Sequence, residues 1–289
     1  LAQHITSGGI VEMDHAEEPD SQVWVVRADG QLPAMTFRRQ EDVVGWARHI
    51  IGGSFGTGDA IVESVTVIAG ANGAGQIHDS TSRDEVWVQV KRTINSATVR
   101  YIEMFERDYE NTHDAKDAVY SDSCITYSGG STSTITGLGH LEGQTVKVWS
   151  NSAVQADKVV SSGSITLDNA STKVQIGLSF THKLATLKIE GGNKAGTSVG
   201  KIKRFSGVTF VLLNSHTIEY GPSPSELTKN DLREVSDYMD TGTPLYTGEL
   251  EVEFDGNWES DPRIYIESDD PAPFTVLAIA PEVKINALV

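Results

Sequence analysis

The chain has 289 residues, with 40 Asp and Glu against 23 Lys and Arg, a formal net charge of −17 and a pI near 4.8. That length can hold two or three domains with sizeable cores. The charge excludes a protein that grips nucleic acid by neutralising phosphates, though not one that nucleic acid slides past. Cys124 is the single cysteine, which rules out an intrachain disulfide or a cysteine metal cluster and suits assembly in a reducing cytoplasm.

The chain starts at Leu1 with no Met and no signal pattern, so it reads as a piece of a longer polypeptide. No apolar run approaches the ~20 residues needed to cross a bilayer, and no membrane insertion is expected. From residue 10 to 110 a strand pair is written twice. Gln22-Val-Trp-Val-Val-Arg27 breaks at Ala28-Asp29-Gly30 and resumes as Leu32–Phe37; Glu85-Val-Trp-Val-Gln-Val-Lys-Arg92 breaks near Asn95-Ser96 and resumes as Thr98–Phe105. Each reads as a β-hairpin with an aromatic at its centre. Further strands are expected at Val43–Trp46 and Val62–Ile68, giving each unit the content of a propeller blade. Trp24 and Trp87 are read as packing residues of those blades.

Residues 111–123 are polar and read as a linker. Short alternating runs follow at Thr132–Ile135, Thr145–Trp149, Lys158–Val160, Ser164–Leu167, Lys173–Ile176 and Leu184–Ile189, the pattern of a small β-sandwich or barrel. Beyond Gly200 come Lys201–Leu213, then Glu249–Phe254, which places Glu249, Glu251 and Glu253 on one face of a strand. Arg263–Ile266 follows, and Phe274–Ile279 is apolar enough to read as a buried strand. The expectation is an all-β chain: propeller-like blades over 1–110, a small sandwich or barrel over 111–190, and a platform-like β domain over 191–289. Charge divides along the same lines, with 15 acidic and 4 basic residues in 220–289 against 8 and 10 in 111–219.

Catalytic signals are thin. Gly52-Gly53-Ser54-Phe55-Gly56 fits the G-x-S-x-G pattern, but a nucleophile elbow needs a helix after it, and here a strand follows. Gly70-Ala-Asn-Gly73-Ala-Gly75 has the spacing of neither a P-loop nor a dinucleotide turn. The carboxylates Asp255, Glu259, Asp261, Glu267, Asp269 and Asp270 cluster without a calcium-loop register. His182 reads as an ordinary strand-end histidine, and Asn169-Ala-Ser171 is a weak glycosylation pattern. No catalytic residue, metal ligand or cofactor is assigned.

Several phrases, in order, resemble the tail nozzle (tail tubular B) proteins of short-tailed bacteriophages and related prophages. They include Ile5-Thr-Ser-Gly-Gly-Ile10, Glu18–Leu32, Val43–His49, Asp84–Val88, Arg100–Glu103, Phe180–Leu184, Phe210–Ser215, Arg233–Asp237, Asp255-Gly-Asn-Trp258 and Ser268–Thr275. The resemblance implies a virion component assembled in the bacterial cytoplasm. Its ring, six-fold in the full-length protein, would sit between tail adaptor and fibre or spike proteins and let genomic DNA pass without tight binding. The acidic row Glu249, Glu251, Glu253 then becomes a candidate lining of the conduit, because like charge repels phosphate. Two other readings stay open: a module in Cys124–Ile189 that binds host glycan or a tail protein, and an acidic-site glycan hydrolase using Asp269 and Asp270.

Overall fold

The computed structural model describes residues 3–70, 83–106, 108–109, 113–190, 192–193 and 196–286. Among them helix is confined to one four-residue turn, α1 (Gln3–Thr6), and three 3-10 turns; the rest of the regular structure is antiparallel β. The chain is all-β, and no described sheet closes into a barrel.

Strands β1 (Ile10–Ala16), β2 (Gln22–Arg27), β3 (Leu32–Arg38) and β4 (Val43–His49) form a meander in sequence order. A short hairpin, β5 (Ser54–Phe55) and β6 (Gly58–Asp59), leads to a second meander of β7 (Ile61–Ile68), β8 (Glu85–Ile94) and β9 (Ala97–Met104). The turn residues explain the hairpins. Gly30 has φ +83°, and a Cβ there would lie 2.4 Å from Cγ2 of Ile61, so both conformation and packing require glycine. Asn95-Ser96 and Asn151-Ser152 both adopt positive φ between paired strands, the geometry of a two-residue type I′ turn.

The two meanders stack face to face through one core that joins Trp24, Val26, Leu32 and Ala34 to Val62, Val65, Val86, Val88 and Val90. Their adjoining edges are tied by side chains. Glu12 Oε2 accepts from the amide of Val65 at 3.0 Å, and Asp14 Oδ2 from that of Val67 at 2.7 Å. These carboxylates satisfy strand-edge donors that would otherwise face no partner.

The expected linker is structured where it is described. A 3-10 turn at Ala115–Asp117 places the Ala115 carbonyl 2.9 Å from the buried Trp149 indole nitrogen, and Asp117 pairs with Lys173. The middle region departs from the expected sandwich or barrel. It is a single four-stranded sheet, β10 (Asp122–Thr136), β11 (Thr145–Ser150), β12 (Ala153–Val159) and β13 (Ser164–Leu178), in the order β10-β13-β11-β12. The two runs expected at 164–167 and 173–176 are parts of one 15-residue strand, carried past Asn169-Ala170 by register shifts against β10. The bends fold the sheet over a core of Ile135, Leu141, Val146, Val148, Ile165 and Ile176, which Ile94 of β8 and Val99 and Tyr101 of β9 also help to fill.

Two packed sheets appear instead at the C-terminal end. Strands β14 (His182–Ala185), β21 (Tyr265–Ser268), β18 (Thr217–Ser223) and β19 (Glu226–Asp231) form one; β20 (Tyr246–Glu253), β17 (Lys203–Ser215) and β22 (Thr275–Ile285) form the other, while β15 (Gly192–Asn193) and β16 (Gly196–Thr197) pair as a separate two-stranded ribbon. Phe205, Val208 and Phe210 of one sheet share a core with Ile218, Tyr220 and Ile266 of the other. The run beginning at Leu184 therefore belongs to this C-terminal unit, since β14 pairs with β21 and not with the middle sheet. Nor is Phe274–Ile279 a buried strand. It opens β22, an edge strand whose Val276 and Ile279 touch the core while Leu277, at a bulge, is 59% exposed.

Candidate functional site

The three cores meet at a cleft of about 1550 Å³. Trp24, His49 and Phe105 line it from the first core, Asp122, Cys124 and His140 from the middle sheet, and Phe180, His182 and Phe274 from the C-terminal side. Strand parity explains the first group. His49 lies opposite Leu32 and Trp24 opposite Ala34, all on the inner face of the first meander. The His49 and Phe105 rings each lie 4.7 Å or 5.9 Å from a neighbouring aromatic centroid: Trp24 is 4.7 Å from both, and they are 5.9 Å from each other. Phe180 and His182 make a similar contact at 4.7 Å.

The polar atoms here are sealed off. Trp24 Nε1, His49 Nδ1 and His182 Nε2 are buried with no hydrogen-bond partner among the described residues. Burial pushes both imidazoles below their ordinary pKa, and for His49 the nearby His182 adds to the effect. The carboxyl of Asp122 moves the other way. Burial raises it to about 6, against the opposing 2.6 Å bond it accepts from the Gly52 amide.

The chemistry these groups allow is limited. The Cys124 thiol is pushed up to about 11 by burial, so at neutral pH it is a protonated thiol, not a nucleophile. Glu103 is held by the fully buried Arg92 through bonds of 2.5 and 2.8 Å, and Arg92 Nε also donates to the Gly52 carbonyl at 2.7 Å. Among the described residues no group of three or more His, Cys, Asp or Glu is placed to hold a metal ion.

The residues singled out from sequence fall in different places. Glu249, Glu251 and Glu253 are all exposed on the outer face of the edge strand β20, while Leu250 and Val252 turn inward. They face Val211, Thr209 and Gly207 across the sheet and have no ion-pair partner among the described residues. The two repeat tryptophans part company. Trp24 is 4% exposed inside the first core, whereas Trp87 sits half-buried on the outer face of β8, its indole nitrogen 3.0 Å from Glu85. In the second copy Val86 and Val88 take the inward positions, so Trp87 lies on the face opposite to the one that Trp24 takes in the first.

Ser54 is exposed in β5, with a hairpin and no helix after it. Of the glycine-rich stretch, residues 71–75 lie outside the described residues. The C-terminal carboxylates are dispersed by their cations: Asp269 to Lys147 at 2.8 Å, Asp270 to Lys229 at 2.9 Å, Glu267 to Lys183 at 3.4 Å and Asp261 to Arg263 at 3.1 Å. Sequence reading overlooked His49, Arg92 and Asp122. For Arg92 a signal existed, because it follows Val86, Val88 and Val90 at the inward parity of β8. Compared with protein-family models and with curated proteins, the sequence matches none.

Proposed function

We propose that this chain is a structural, non-enzymatic component of a bacteriophage tail of the nozzle (tail tubular B) kind, forming part of the conduit for DNA ejection. The observation that carries the reading is the row Glu249, Glu251, Glu253, exposed on a sheet face of small residues and free of cation partners among the described residues. A row of that kind repels phosphate, so duplex DNA slides instead of sticking. The C-terminal carboxylates engaged by lysines serve as braces between elements, which argues against an acidic hydrolase at Asp269 and Asp270.

Assembly surfaces accompany the row. On the outer face of the first meander Met13, Phe37 and Val44 stand 66%, 42% and 60% exposed, and pairing places them on one side of the sheet with Val23, Val25 and Met35. A neighbouring blade or subunit in a ring would cover such a face. In this reading the adaptor and the fibre or spike proteins are the partners, and DNA is a transient passenger.

Electron microscopy of the full-length assembled protein tests the proposal. The expected result is a closed ring with a bore wide enough for duplex DNA and the β20 face turned towards it. A ring with that face pointing outwards would remove the conduit role of the row, and a stable monomer at high concentration would count against the tail assignment. In assembled particles the triple substitution of Glu249, Glu251 and Glu253 by Lys is expected to leave assembly intact and slow DNA release.

A further inference from the structure

Histidines stand where the C-terminal two-sheet unit meets the rest of the described chain. His182, at the start of β14, shares the cleft with His49 and the Trp24–Phe105 cluster. His216, between β17 and β18, stands edge-on to Trp149 of the middle sheet with ring centroids 5.2 Å apart. The seam between the first and middle cores also carries a ring contact, Tyr101 with His140 at 6.1 Å, but it is backed by apolar packing, with Ile94, Val99 and Tyr101 joined to the middle core. There the Gly52 amide donates to Asp122, and the Tyr101 hydroxyl donates to the His140 carbonyl at 2.7 Å.

We infer that the C-terminal unit is held by an acid-labile latch: protonation of His49, His182 and His216 releases it as a body, while the first and middle cores stay joined. An imidazole nitrogen sealed from solvent needs a partner for an added proton. Here each ring has a buried nitrogen without one: Nδ1 in His49 and His216, Nε2 in His182. Two of the three, His49 and His182, line the same cleft, so charging both adds repulsion across it.

The surrounding charges qualify the response without cancelling it. Asp108 favours the cation at His182, yet burial outweighs it. Around His216, Asp270 and Asp231 favour charging while Lys229 and Arg233 oppose it, and burial again dominates. Arg48, Arg83, Arg100 and Lys183 also line the cleft and disfavour further positive charge; Glu18, Asp20, Asp84, Glu103, Glu106 and Asp122 line it with the opposite sign. Of these, Glu103 is committed to Arg92. Asp122 takes up a proton as pH falls to about 6, which relieves a buried charge at the other seam and favours keeping the first two cores together. One ion pair crosses from the middle sheet to the C-terminal unit, Lys147 with Asp269, and its carboxylate is half-exposed. A pair so placed contributes little on its own.

The sign follows from linkage. The folded pKa of each histidine lies below its unfolded value, so the stability the neutral rings supply is complete above about pH 6.5 and is lost as pH falls through the folded values. Small-angle scattering and far-ultraviolet circular dichroism of the whole chain, from about pH 7.5 to about pH 5, test the latch. The expected result is a rise in radius of gyration with the strand signal unchanged. The His49→Gln, His182→Gln double variant should shift that rise to lower pH or abolish it.

A constant radius over the range would overturn the inference, as would a strand signal lost together with the expansion, or an expansion unaltered in the double variant. Should the variant not fold, NMR titration of the wild-type imidazoles decides. Titration of all three below their ordinary value in the compact form supports the latch, and titration at about 6.5 overturns it.

Discussion

Asp122 is a single carboxyl whose charge is costly. Burial raises its pKa to about 6, so at neutral pH the folded chain holds an ionised group it would prefer protonated. The linkage runs opposite to that of the buried histidines: the favourable contribution is complete below the unfolded carboxyl range and is lost as pH rises through about 6. Asp122→Asn keeps an acceptor for the Gly52 amide and removes the charge. The variant is expected to be more stable than the wild type at pH 8, by on the order of 1–2 kcal/mol, with the advantage gone by about pH 4; denaturant melts at the two pH values measure it. The repeat tryptophans offer a second comparison at this scale. Trp24→Ala should cost about 3–5 kcal/mol by emptying a packed core site. Trp87→Ala, on the outer face, should cost about 1 kcal/mol or less. Equal costs in urea melts would mean that the two copies are packed alike.

At the scale of the strand, the alternation in Glu249–Phe254 was legible because a half-buried edge strand prints its two faces as period-two polarity. The same rule misled at Phe274–Ile279. An apolar run can lie at a sheet edge when a bulge breaks the parity, and no single-sequence signal marks a bulge of that kind. It also left 164–167 and 173–176 as separate runs, whereas β13 carries both through register shifts against β10. The acidic row supports its own prediction. Glu251 has a like charge two residues away on each side and faces Thr209 across the sheet. Glu251→Gln should therefore raise the melting temperature at low ionic strength, by an amount equivalent to about 0.5 kcal/mol. The difference should vanish in about 0.5 M salt, where the Debye length is only a few ångström; calorimetry at two salt concentrations checks both halves.

At the scale of the whole molecule, the all-β class could be read from turn signals and strand runs, but the way the cores join could not. Contacts such as Gly52 with Asp122, Lys147 with Asp269 and Trp149 with His216 connect residues far apart in sequence, and no local pattern encodes them. One phrase did mark a seam, under another guise. The glycines of Gly52-Gly53-Ser54-Phe55-Gly56 satisfy a hydrolase pattern, yet their physical role is close approach. A Cβ at Gly52 would lie 2.6 Å from the Ser179 carbonyl oxygen and 3.1 Å from Cβ of Leu178. Gly53, at φ +93°, faces Arg92 Cδ at 2.9 Å and Leu178 Cδ1 at 3.0 Å. The Gly52 peptide also accepts from Arg92 and donates to Asp122, so the first and middle cores are pinned through one residue without a side chain. Gly52→Val should force those cores apart while leaving each largely intact, because the nearest obstacle is backbone and cannot rotate away. The expected cost is about 2–3 kcal/mol. Urea unfolding followed by tryptophan fluorescence and by circular dichroism should then give transitions that no longer coincide, since strands within each core would outlast the seam. Coincident transitions with an unchanged midpoint would show that the seam tolerates a side chain, and that these glycines do not set the approach of the two cores.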